Sequence, residues 1–123
     1  MPIFRIAHDT AIDAPYEVDA EKLIAGDPRQ GVANLYSDPT SQFHCGVWAA
    51  EPATWRVRYS EHEFCHLLEG RILIREDGGE AMEVRAGDSF VVPAGFAGTW
   101  QVLERARKLY VILEPGEQAV TGG

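Results

Sequence analysis

The side chains most able to do chemistry gather in the run V-R-Y-S-E-H-E-F-C-H, from Val57 to His66. Glu63 offers a carboxylate for acid–base work, Tyr59 a phenolic donor and Cys65 a soft nucleophile. If the run is extended, successive side chains alternate between two faces. Val57, Tyr59, Glu61, Glu63 and Cys65 then share one face, and His62 and His66 fall on the other. A His62/Glu63/His66 metal site would need a strand bulge to turn an imidazole around. His44, beside Cys45, is the remaining candidate for a rearranged site, and His8 carries no signal.

Short strands must hold these groups. From Arg56 onward the runs R-I-L-I-R (71–75), M-E-V-R (82–85), S-F-V-V (89–92), T-W-Q-V-L (99–103) and K-L-Y-V-I-L (108–113) are rich in β-branched and aromatic residues. Turn residues separate them, among them Asp77-Gly78-Gly79, Ala86-Gly87-Asp88 and Pro93-Ala94-Gly95. Strands this short and evenly spaced suggest a sandwich or small barrel. The stretch 43–57 alternates β-type runs with the turn signal Glu51-Pro52. Residues 1–45 are punctuated by Pro2, Pro15, Pro28 and Pro39 and read as irregular. A short helix is expected there over 18–26, capped by Asp19 and ended by Gly26. The expected organisation is an N-terminal extension over 1–45 with a dimer-contacting strand, a barrel over 46–115 and a flexible tail over 116–123.

Two segments carry a family resemblance. E-F-C-H-L-L-E-G (63–70) and G-D-S-F-V-V-P-A-G (87–95) resemble the two signature motifs of the cupin superfamily. The resemblance implies an all-β, double-stranded β-helix (a jelly-roll or cupin barrel) with a short irregular N-terminal segment. In metal-binding cupins three histidines and a glutamate of these motifs hold one divalent ion. At the three histidine positions this chain has Val57, Tyr59 and Gly98, and only Glu63 remains. The flanking pattern Trp48, Trp55, Tyr59, Glu63, Cys65, Trp100 and Arg107-Lys108-x-Tyr110 is similar to a narrower group. That group joins (S)-ureidoglycine aminohydrolase-like domains to the ethanolamine-utilisation cupin.

In the register this resemblance implies, Glu63 points into the barrel, and Tyr59 and Cys65 line the cavity with it. Glu63 and Tyr59 are the candidate catalytic pair. A carboxylate in a largely apolar barrel is expected to have a raised pKa. Trp48, Trp55, Cys65, Trp100 and Lys108 are the candidate ligand-binding residues, the tryptophans as flat walls and Lys108 as a cation for a carboxylate substrate. Each has a structural reading as well. Glu63 could simply anchor strands through Tyr59 or Lys108, Cys65 could be a small buried hydrophobe, and the tryptophans could be core. No metal ligand is assigned and no cofactor is expected, because divalent metals want three or more protein ligands and one is in view.

At 123 residues the chain suits one domain with a sizeable core. Its net charge of −8 argues against nucleic-acid or anionic-membrane partners. No apolar run approaches a membrane span. The N-terminus MPIFRIAHDTAIDAP has no signal-peptide pattern, and two cysteines make no disulfide framework. A cytoplasmic homodimer with reduced thiols and a small-molecule ligand in the barrel is the expectation. Three functions stay open: a small-molecule-binding cupin without the usual three-histidine site, a metal-dependent aminohydrolase-like enzyme acting on a small ureido or amino metabolite, and a non-catalytic ligand-binding or structural cupin. Whether the chain is an enzyme is left undecided.

Overall fold

Nine strands and no helix make up the computed structural model, which describes residues 2–115. They are β1 (Ala14–Glu17), β2 (Leu23–Gly26), β3 (Arg29–Ser37), β4 (Phe43–Ala50), β5 (Ala53–Arg58), β6 (His62–Glu76), β7 (Ala81–Arg85), β8 (Ser89–Val92) and β9 (Ala97–Leu113). All pairings are antiparallel. The sheet runs β1-β3-β4-β9-β5-β2, with β6 joining β9 to β7 and β8. The jelly-roll barrel implied by the two motifs is the fold observed.

Two long strands close the barrel. Strand β9 is 17 residues long and merges the expected runs 99–103 and 108–113. Its first half pairs with β5 and its second with β4, and β6 follows it along both halves. Strand β6 must bend to do so, and its pairing with β9 shifts register around Glu69 and Arg71. Gly70 sits at that bend with a φ of +94°, a conformation that costs other residues energy. A Cβ there would also press on the Ala106 backbone.

The N-terminal region differs from expectation. Residues 2–13 precede the first strand, and β1, β2 and β3 all join the sheet. The helix expected over 18–26 does not form. Asp19 closes a single turn, its carbonyl accepting from the Lys22 and Leu23 amides, and Leu23–Gly26 then pairs with β5. Nine residues are too few for an unsupported helix, and sheet pairing satisfies the same backbone groups. The expected tail 116–123 lies outside the described residues. No helix among the described residues is long and apolar enough to cross a membrane.

The core fills the barrel with Trp48, Trp55, Leu67, Ile72, Trp100 and Val102, among others. Three tryptophans form its centre. Trp55 and Trp100 stack with centroids 6.3 Å apart, and Trp48 meets Trp100 edge-on at 5.8 Å. Such pairs add about 0.5–1.5 kcal/mol each beyond the area they bury.

Candidate functional site

Strand register decides which side chains meet inside the barrel. Across β4, β9, β6 and β8 one inner row is His44, Ile112, Glu63 and Val92. Asn34, Gly46, Tyr110, Cys65 and Phe90 form the next row. Val32, Trp48, Lys108 and Leu67 follow. Glu63 and Lys108 therefore lie two rows apart, with Tyr110 and Cys65 between them. The lysine stem is long enough to span that gap, and its Nζ donates to Glu63 Oε2 at 3.0 Å. Both residues are buried, Lys108 at 4% exposure and Glu63 at 6%.

Aromatic faces complete the setting. Lys108 Nζ lies 4.3 Å from the Trp100 ring centroid and 4.5 Å from that of Trp48. A desolvated cation over an indole gains about 2 kcal/mol, which helps offset the cost of burying the ammonium. The ammonium thus sits among one carboxylate oxygen and two ring faces. Burial pushes the Lys108 pKa down, but neighbouring Cys65 and Glu63 push it up, and the net direction is upward. Near neutrality Glu63 is the neighbour that matters, because burial pushes the Cys65 thiol up to about 12 and keeps it protonated. Lys108 is thus a charged partner of Glu63, and the contact is the strand anchor through Lys108 that one reading of the sequence offered.

Tyr59 reaches the same carboxylate by another route. It lies in the β5–β6 connection, so the run 57–65 is not one extended strand. Its amide donates to the Phe96 carbonyl and its carbonyl accepts from the Gly95 amide, at 2.9 and 2.7 Å. Pinned this way, its hydroxyl donates to Glu63 Oε1 at 2.8 Å. Burial, followed by the charge of Glu63, raises its pKa far above the ordinary phenol value.

These groups border a cavity of about 620 Å³, within the size range of small-molecule sites. Trp48, Trp55, Tyr59, Glu63, Trp100 and Lys108, all expected at the site, line it. Cys65 does not. It is fully buried in the row between Glu63 and Lys108, and its high pKa removes it as a nucleophile near neutrality.

Tyr16, Asn34 and Tyr110 line the cavity too and carried no functional assignment from the sequence. Tyr16 comes from β1, in the region read as irregular. Asn34 sits across β4 from Tyr110 at a position that only the β3–β4 pairing reveals. The alternation of Tyr16 with Val18 was the one local signal of a strand there.

His62 and His66 lie apart from the carboxylate chemistry, whereas His44 shares the inner row of Glu63 and lines the cavity. His62 Nδ1 accepts from the Ala94 amide at 3.0 Å, and His66 Nδ1 lies 2.7 Å from Ser89 Oγ. Both are on the face opposite Glu63, as alternation required. Among the described residues no group of three or more His, Cys, Asp or Glu side chains could hold a metal ion. Val57 and Gly98 stand directly opposite each other on β5 and β9, where metal-binding cupins place histidines. A Cβ at Gly98 would collide with the Arg75 carbonyl, so no side chain fits there without a backbone shift. With a lysine ammonium already against the one carboxylate, these residues do not fit a divalent ion.

A family model described as the EutQ-like cupin domain matches residues 37–110, more than half of the chain. The chain belongs to this family. No curated protein matches it in sequence. Among solved structures it is similar to a DUF861-family protein of unknown function from Pseudomonas syringae, at 25% identity and a TM-score of 0.80. That match covers 87% of this chain and 46% of the other, so the EutQ-like chain spans about half the length of that relative. A putative ethanolamine utilization protein Q from Salmonella typhimurium matches at 21% identity and a TM-score of 0.64, covering 87% and 100% of the two chains. The Clostridium difficile EutQ protein matches at 20% and 0.64, covering 80% of each chain. The last two likenesses show the fold.

Proposed function

We propose that this EutQ-like cupin binds a small organic molecule in its barrel, anchored at Glu63 and held between aromatic walls, without the three-histidine metal site. The observation that carries the reading is the Glu63–Lys108 ion pair at the buried end of an open cavity. Removing two charges from water costs several kcal/mol per ion, and apolar residues of similar volume commonly stabilise a fold as well or better. A barrel of this size has no need of such a pair for stability. Buried charge beside a cavity is the pattern expected where a ligand is recognised.

Catalysis would require Glu63 to exchange a proton with the ligand. The Tyr59 hydroxyl fixes one Glu63 carboxylate oxygen in place, and Tyr59, with its high pKa, serves as a hydrogen-bond donor and not as an acid.

The test is a panel of small polar metabolites scanned for thermal stabilisation of the wild-type chain and of Glu63→Gln. The expected result is at least one compound that stabilises the wild type in a saturable way and the variant by less. Turnover by the wild type that is lost in Glu63→Gln marks an enzyme; weakened binding without turnover in either protein marks a receptor. No stabilising compound, or equal stabilisation of both proteins, contradicts the reading.

A further inference from the structure

The turn between β3 and β4 holds a second set of reactive side chains, apart from Glu63. Ser37 and His44 are direct cross-strand partners on either side of that turn. Ser37 is exposed, and its Oγ lies 2.7 Å from His44 Nδ1. The network fixes the direction of this bond. His44 Nε2 lies 3.0 Å from the Ser41 carbonyl, which can only accept. In the neutral ring Nε2 therefore carries the hydrogen, Nδ1 keeps the lone pair, and the Ser37 hydroxyl donates to it.

The turn keeps the ring in that state. The Asp38 carboxylate accepts from the Gln42 and Phe43 amides at 2.9 and 3.0 Å, which ties the loop back on itself. Within it Ser41 has a φ of +59°, the one positive value at a non-glycine among the described residues. A residue with a Cβ adopts such a conformation at a cost, and it persists where the surroundings enforce it. The Ser41 carbonyl is the group that takes the His44 hydrogen. Glu114 Oε2 lies 4.0 Å from the same Nε2, where its charge favours a ring that has gained a proton.

A donor also reaches Ser37. Asn34 Nδ2 lies 2.8 Å from Ser37 Oγ. The Tyr110 hydroxyl donates to Asn34 Oδ1 at 2.7 Å, which fixes the amide with its nitrogen toward the serine. An oxygen gaining charge on a carbon bonded to Oγ would lie within reach of that N–H. Nucleophile, base, a group orienting the base and an oxyanion donor are the parts that acyl transfer requires. A cross-strand pair that served only the fold would need neither the second ring nitrogen held nor an amide aimed at the hydroxyl. Asn34 and His44 line the cavity, so a small molecule in it lies beside this group.

We propose that Ser37 is an activated nucleophile that takes acyl groups from small carboxylic esters, with His44 as its base and Asn34 as the oxyanion donor. Ser37 Oγ bonds to the ester carbonyl carbon as its proton passes to His44 Nδ1. The tetrahedral adduct then collapses: the ester C–O bond breaks, and the departing alkoxide takes the proton from Nδ1. Water adds to the acyl-serine, giving a proton to Nδ1, and that proton returns to Oγ as the carboxylic acid leaves. One ester and one water become one acid and one alcohol. The assignment uses neither Glu63 nor Lys108, so it stands or falls apart from the ligand reading above.

The experiment treats the full chain with a fluorophosphonate and, separately, with p-nitrophenyl acetate, and locates each adduct by peptide mass spectrometry. The expected result is both labels on Ser37 and continued release of p-nitrophenolate. Ser37→Ala should lose the labels and the release, and His44→Asn should acylate at least about 100-fold more slowly. A wild-type chain that takes no label, or takes it only on lysines, tyrosines or the N-terminus, would overturn the proposal, and that result depends on no variant folding. Ester turnover unchanged in Ser37→Ala, with its unfolding midpoint unchanged, would overturn it too. The metabolite panel with Glu63→Gln decides the ligand reading separately.

Discussion

At Lys108 an ammonium is buried almost completely, and its one ionic partner among the described residues is Glu63. Breaking such a pair from one side strands a charge, which costs about 3–5 kcal/mol, whereas replacing both partners can be neutral. Lys108→Met is therefore expected to lower stability by about that amount in urea denaturation. Adding Glu63→Gln is expected to recover more than half of the loss, since a neutral amide in place of the carboxylate leaves no unpaired charge. The double variant should nevertheless fail to bind any compound found for the wild type. Stability restored without binding separates a recognition role from a structural one, whereas a double variant that still binds would show that the pair serves the fold. The sequence made Glu63, Tyr59 and the tryptophans legible, because family motifs and strand alternation place them inward. For Lys108 it left two roles open, a strand anchor to Glu63 and a cation for a carboxylate substrate. That a lysine two rows away would reach back to Glu63 follows from its stem length and the β6–β9 register, neither of which is local.

At the scale of the strands, Gly46 on β4 is what lets the Tyr110 hydroxyl reach Asn34 Oδ1. It lies between Asn34 on β3 and Tyr110 on β9, and a Cβ there would come within 2.8 Å of the Tyr110 hydroxyl and collide with the Ala33 carbonyl. Only a missing side chain allows Tyr110 to cross the strand and bond to Asn34. Gly46→Ala is expected to cost about 1–3 kcal/mol through forced displacement. Tyr110→Phe should cost less in that background than in the wild type, because the bond it removes is already broken. Equal costs of Tyr110→Phe in both backgrounds, measured by thermal or urea unfolding, would contradict this role. The strands from Ala53 onward were legible from turn residues and β-branched runs. Those before Phe43 were not: β1 and β2 are four residues each, and their pairing with β3 and β5 supplies what local pattern lacks. Tyr16 and Asn34 were missed with them.

For the whole molecule, the buried protons set a pH limit. The folded-state pKa values of Lys108, Tyr59 and Cys65 all lie above their ordinary values, the last at about 12 against 9.0. In alkali the unfolded chain thus holds fewer protons than the folded one, so stability must fall as pH rises. The stabilisation is fully present below about pH 9, where the thiol of an unfolded chain begins to ionise, and is lost progressively as pH climbs toward the folded values. Unfolding free energies between about pH 7 and 11 are expected to be flat at first and then to decline steeply, and a flat profile throughout would contradict the buried, protonated state of these groups. The central claim is that the aromatic cavity above Glu63 and Lys108 is where this cupin takes its ligand. Its most direct measurement is a crystal structure of the wild-type chain with the most strongly stabilising compound of the metabolite panel. The account predicts density inside the barrel, with a polar ligand atom within hydrogen-bonding distance of Glu63; an empty barrel with the compound bound elsewhere would contradict it.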